Sequence, residues 1–176
     1  INDNFTELDT NKQWKIYVTV WPTGDYVTDW TADNIEIQQA IDYVSGLGGW
    51  VVYIKEWTYN ITGQMTPKSN VTVMGEWVWS TILLGGVASD WMFYNTTAIS
   101  NFSVQNITLD CNNTISGGLL WLNKTTRGYF NNVEFKNVAS GWWHSVIGIA
   151  TVATAIDCFD NTYENCVFDT HAGSLE

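Results

Sequence analysis

The chain has 176 residues, 45% of them hydrophobic, which is the length of one ordinary domain with enough apolar surface to bury a core. Seven Lys and Arg against 18 Asp and Glu give a formal charge of −11, so a nucleic-acid backbone would be repelled over most of the surface and no nucleic-acid partner is expected. No run approaches the roughly 20 apolar residues of a membrane span, and the opening "INDNFTELDT" has neither the basic nor the apolar region of a secretion signal.

Residues 1–30 are read as an entry segment, and the absence of an initiating Met predicts a mature or excised chain. The first strong signal is "TADNIEIQQAIDYVSGLGG", which predicts a helix within residues 31–47. Asp33 is expected to cap it and Glu36, three residues on, to close a capping box. Ile37, Ala40, Ile41 and Val44 fall on one face, and Gly46 stands where a helix exit takes a left-handed residue.

From residue 48 to 176 the pattern changes to short runs of period two: "VVYI", "VTVM", "FSVQNITL", "GLLWL", "YFNNVEF", "VIGIATV" and "TYENCVF". Three runs align as a repeat. Val104, Asn106, Ile107 and Leu109 match Phe130, Asn132, Val133 and Phe135, which match Tyr163, Asn165, Cys166 and Phe168. Asn, which tolerates a left-handed backbone, would sit at a bend between two alternating strands, and stacked Asn side chains would form an amide ladder. "SNVTVM" is assigned to the later half of this repeat, with Asn70 in the Asn position.

A β-sandwich can also be drawn from short strands, but it calls for neither an Asn at a fixed offset nor a helix at the start. At the start of a solenoid, an amphipathic helix covers an exposed edge and an open apolar end. The expected fold is all-β: a right-handed, single-stranded parallel β-helix with an N-terminal capping α-helix. "HAGSLE" follows a strand closely without a polar capping helix, which predicts an incomplete segment of a longer solenoid. Cys111, Cys158 and Cys166 lack CxxC spacing and are odd in number, so neither a disulfide framework nor a metal centre is expected. Sequons at Asn4, Asn60, Asn70, Asn95, Asn101, Asn106, Asn112 and Asn123 suit a secreted protein, although an Asn- and Thr-rich solenoid produces such triplets by chance.

The stretch "TADNIEIQQAIDYVSGLGGWVVYIKEWTYNITGQMTPKSNVTVMGEWVWSTILL", from Thr31 to Leu84, resembles the entry module of pectate-lyase-superfamily β-helices, phage tailspikes among them. The resemblance covers about a third of the chain. It implies a parallel β-helix in an extracellular, cell-surface or virion setting, with polysaccharide as partner, Ca²⁺ as the cofactor of some members and a homotrimer in the tailspike case. It implies no single activity, because the superfamily holds lyases, hydrolases, epimerases and inert adhesins.

The chain departs from that pattern in placing Trp where glycine is expected, at Trp57, Trp77, Trp50, Trp21 and Trp30, among 11 Trp in all. Two readings compete. Either the indoles are exposed platforms for sugar rings, or the gene reads UGA as glycine and the codon has been rendered as tryptophan. Platforms should cluster on one face, whereas these follow glycine positions in turns where φ > 0 is wanted, which favours the second reading. TGG codons at Trp57 and Trp77 would exclude it, and for Trp142 and Trp143 both readings stand.

The repeat also indicates where chemistry would sit. Asp110, Lys136 and Asp169 share one outward offset, and Thr108, Glu134 and Val167 the offset two residues earlier. On consecutive coils Asp110 and Asp169 would be two rungs, roughly 9.6 Å, apart, at the wide end of the separation in inverting glycoside hydrolases. Lys136 between them would lower both acids, which suits a base. His171 follows Asp169 by two residues on the same side and makes a candidate acid–base partner.

The candidate catalytic set is thus Asp110, Asp169 and His171, with Glu134, Lys136 and Arg127 as candidate substrate contacts. The plainer account is a charge-balanced surface ladder and a polar turn. Lyases of the resembled family need Ca²⁺-binding Asp residues and an Arg base, and the only Arg here is Arg127, in the loop "NKTTRGY". The functional expectation is a β-helix that binds, and in the enzymatic case cleaves, polysaccharide; the alternative is a structural or adhesive solenoid.

Overall fold

The computed structural model describes residues 17–86, 91–114, 118–138, 145–150 and 160–169. In chain order the elements are β1 (Tyr17–Val20), α1 (Asn34–Gly46), β2 (Val51–Ile54), β3 (Trp57–Ile61), β4 (Thr72–Gly75), β5 (Thr81–Gly85), β6 (Trp91–Tyr94) and β7 (Ile99–Ser100). They continue as β8 (Ser103–Asp110), β9 (Gly118–Asn123), β10 (Thr125–Thr126), β11 (Tyr129–Lys136), β12 (Ser145–Ala150), β13 (Thr162–Glu164) and β14 (Val167–Asp169).

Every strand pairing among the described residues is parallel. One sheet runs β1-β2-β4-β8-β11-β13, with β3 on β5, β5 on the end of β8, and β14 on the end of β11. A second sheet stacks β6, β9 and β12, and a third pairs β7 with β10. Each circuit therefore returns one rung further on, as a right-handed parallel β-helix does. Period-two alternation turns Val52, Ile54, Val73, Val104, Ile107, Leu109, Phe130, Val133 and Phe135 inward, where each is buried in one continuous core. Phe135 stacks on Phe168 at 5.0 Å and Phe130 on Tyr163 at 4.8 Å, so like residues lie over like along the axis.

The repeat lies in the register that its alignment predicts. Phe130 faces Val104 and Tyr163, Val133 faces Ile107, and Phe135 faces Leu109 and Phe168. Asn106, Asn132 and Asn165 are all left-handed, with φ of 54°, 54° and 51°. The Asn132 amide donates to Asn106 Oδ1 at 3.0 Å, whereas that of Asn165 donates to Asn131 at 3.1 Å, so the amide ladder steps sideways at its last rung.

The assignment of "SNVTVM" to the later half is corrected. Val73 pairs with Val104, which places Asn70 one column earlier, beneath Asn101. That earlier corner, two residues before each strand, is left-handed at Gly49, Asn70, Asn101, Arg127 and Asp160. Gly49 must be glycine there, because an added Cβ would collide with the Asn70 backbone.

Helix α1 buries Ile37, Ala40, Ile41 and Val44, as the pattern predicts, against β1, β2 and β3. Its predicted termini are corrected. Asp33 makes no side-chain cap; its buried carboxylate instead accepts from the Trp30 N–H at 2.9 Å and the Asn60 N–H at 2.7 Å. Tertiary donors have taken the lone pairs that the helix end would use. At the other end the left-handed residues are Gly48 and Gly49, both at φ 101°, with Gly46 still helical. β1 lies within residues 1–30 and adds a strand to the main sheet ahead of the helix.

Candidate functional site

Two outward columns run up the face formed by β3, β5, β8, β11 and β14. One reads Thr58, Ile82, Thr108, Glu134, Val167; the other reads Asn60, Leu84, Asp110, Lys136, Asp169. The register therefore places Asp110, Lys136 and Asp169 on consecutive rungs, with Lys136 Nζ 3.7 Å from Asp110 Oδ2.

Asp110 is 7% exposed, and its Oδ1 accepts from the Asn112 N–H at 2.7 Å and the Asn137 amide at 2.8 Å. A carboxylate so engaged holds a turn and a neighbouring coil together. Glu134, although outward, is 8% exposed and accepts from the Thr108 hydroxyl at 3.0 Å; that same hydroxyl accepts the Trp79 N–H at 3.1 Å. Glu134 thus acts through Thr108 to fix the backbone of the 76–80 loop. Asp169 is exposed.

Arg127 is not brought to this face. It sits at the opposite end of β11 from Lys136, exposed, in the left-handed corner, where its Nε donates to Asn101 Oδ1 at 2.9 Å. Asn101 in turn donates to Asn70 at 2.7 Å, so Arg127 occupies a rung of an amide ladder. His171 lies outside the described residues, as do His144, Trp142 and Trp143. Among the described residues no group of three or more His, Cys, Asp or Glu is placed to hold a metal ion.

A concave surface on this face lies at its earlier coils. A shallow groove of about 640 Å³ is lined by Trp21, Glu56, Trp57, Thr58, Trp79, Ser80 and Ile82. Trp21 meets Trp57 edge-on at 5.9 Å, and Trp30 stacks on Trp57 at 5.8 Å with 26° between the planes. The Glu56 N–H donates to the Glu76 carboxylate at 3.2 Å, tying the bend after β2 to the longer bend after β4. Apolar ring faces, two hydroxyls and a carboxylate therefore converge on one shallow trough.

Of the five tryptophans at glycine-like positions, Trp21, Trp30 and Trp57 meet through their rings, with Trp79 beside them in the trough, whereas Trp50 and Trp77 do not line it. The expectation that all five positions want φ > 0 is corrected, since Trp30 alone of them has it. Trp30 and Trp79 are left-handed, with φ of 68° and 71°, while Trp21, Trp50, Trp57 and Trp77 are not. Sequence reasoning passed over Trp79, Glu56, Ser80 and Ile82 as site residues. The available signal was positional, since Trp21, Trp57 and Trp79 each follow a short apolar strand at its outward bend.

No protein-family model and no curated protein matches the chain. Among solved structures it is similar to the A-module of the mannuronan C-5 epimerase AlgE4 of Azotobacter vinelandii, with a TM-score of 0.56 and 21% identity over 67% of this chain and 38% of that one. It is also similar to ORF18 of Geobacillus virus E2, with a TM-score of 0.50 and 21% identity over 59% of this chain and 22% of that one. The chain thus spans less than two fifths of the first structure and under a quarter of the second. These likenesses and the strand register agree on one fold, and the chain is a right-handed parallel β-helix.

Proposed function

We propose that this β-helix engages polysaccharide in the Trp21–Trp57 groove, in an extracellular or virion setting. The observation that carries the reading is the groove's mixed floor, with the indoles of Trp21 and Trp57 beside the Thr58 and Ser80 hydroxyls and the Glu56 carboxylate. A pyranose ring offers the same mixture, apolar C–H faces edged by hydroxyls. The lining holds no Lys or Arg, and the chain carries −11 overall, so a neutral glycan fits better than an acidic one.

Binding is favoured over cleavage, because the groove lining holds a single carboxylate, Glu56, while the candidate acids Asp110 and Glu134 lie outside it and are committed to the scaffold. Cleavage would draw on Asp169 with His171, and a lyase of the resembled family would need Ca²⁺ and an Arg base. The test is a panel of neutral and acidic polysaccharides, mannuronan included because a structural neighbour carries that name, scored for retention, new reducing ends and unsaturated products. Retention of a neutral glycan, weakened about threefold to tenfold by Trp57→Ala, is the expected result. No retention across the panel would leave the second reading, a structural or adhesive solenoid, which the amide ladders support. Sedimentation would show whether the chain assembles as the trimer of a tailspike.

A further inference from the structure

The tryptophans of the groove separate into two chemical kinds by backbone. Thirteen described non-glycine residues have φ > 0, and eleven are Asn, Asp, Lys or Arg in ladder corners, short turns and the Asn corners of the repeat; the other two are Trp30 and Trp79. A left-handed backbone presses Cβ against the following carbonyl, and a bulky residue gains no local hydrogen bond in return, as Asn or Asp does.

Neither turn is free to relax. The Trp30 N–H is held at 2.9 Å by Asp33, a fully buried carboxylate that also holds the Asn60 N–H. The Trp79 N–H is held at 3.1 Å by Thr108, whose hydroxyl is anchored on the buried Glu134. Ser80 and Thr81 close the same turn by donating their N–H groups to the Trp77 carbonyl, at 3.2 and 3.0 Å. Two separate buried acids thus enforce a glycine conformation at two residues that are themselves 55% and 66% exposed.

We infer that positions 30 and 79 are glycine positions, and that the protein made in its own cell carries glycine there, with the codon that appears as tryptophan being read as glycine. Trp77, as exposed at 60% and in the same loop as Trp79 but with an ordinary backbone, lacks this signature and serves as the internal control. Glycine at these two positions would reshape the groove. Trp30 covers one face of the Trp57 ring and Trp79 forms part of the trough wall, so glycine at both would uncover Trp57 and open the trough toward Thr108 and Glu134. That consequence alone rests on the carbohydrate reading; the assignment of the two residues does not.

The experiment compares glycine with alanine at each position in the full chain. Alanine removes the indole but keeps Cβ, so the difference between the two isolates the backbone. W30G and W79G are each expected to melt about 2–6 °C above W30A and W79A. At the control the order reverses, with W77G melting below W77A. Equal melting of glycine and alanine at 30 and 79 would overturn the assignment of glycine backbones. Peptide mass analysis of protein from its native cell tests the second half: glycine at both positions is expected, and tryptophan at either overturns it. If glycine is found and no glycan is retained by the W30G/W79G chain, the carbohydrate reading fails while this inference stands.

Discussion

The earlier and later coils solve the same corner in different ways. In β8 and β11, one left-handed Asn turns the chain between two strand halves, and its amide reaches the coil beside it, so the corner repeats without insertion. Between β4 and β5 five residues, 76–80, take the place of that single Asn, and the chain must be held by other means: Thr108 from the next coil, braced by Glu134 from the coil beyond it, and Glu76 to the coil below. A corner made by one Asn is compact and leaves little to touch. A corner made by a loop projects side chains, and the groove is found there.

The comparison is sharpened first in the core of the later coils. Phe135→Ala, which removes a buried ring stacked on Phe168, should cost about 3–5 kcal/mol in a urea titration. The earlier region should prove most sensitive at a polar group. Asp33→Ala leaves the N–H groups of Trp30 and Asn60 unpaired and should cost roughly 2–3 kcal/mol by the same measurement. Asn132→Ala should cost about 1–2 kcal/mol, while Asn132→Gly keeps the left-handed corner, loses only the amide bond to Asn106 and should cost less. If alanine and glycine cost the same at 132, the ladder and not the backbone governs the later corner.

Alkaline pH offers a gentler probe of the later coils. Burial pushes the Cys111 thiol from 9.0 up to about 12, with the Asp110 carboxylate adding to the effect. The folded state therefore holds this proton more tightly than the unfolded one, so its contribution is whole below about pH 9 and is lost as pH rises toward 12. Melting followed across that window should fall less steeply in Cys111→Ala. The smallest effect is expected at Asp169→Ala, an exposed rung whose loss should move stability by less than about 0.5 kcal/mol. A large loss of glycan processing without loss of stability in that variant would point to cleavage at the upper end of the face.

Much of this molecule was legible in advance because its corners are local. A left-handed Asn is a property of one residue and its neighbours, so the alignment of Asn106, Asn132 and Asn165 fixed both the strand breaks and the register. The helix face was legible for the same reason, since Ile37, Ala40, Ile41 and Val44 need only helical spacing to share a side. Asp33 was misjudged because capping is a local rule, and donors from Trp30 and Asn60, the second 27 residues away, took its oxygens. Arg127 was a candidate by residue type alone, and only the fold showed it serving as a rung beside Asn101.

The sequence alone thus determined the period of the coils, the inward face of each strand and the left-handed Asn corners, all consequences of chemistry within a few residues. The tertiary structure decided which outward side chains meet. A rung brings together residues some 21 to 34 positions apart, and one inserted loop decides whether tryptophans scattered along the chain become a groove.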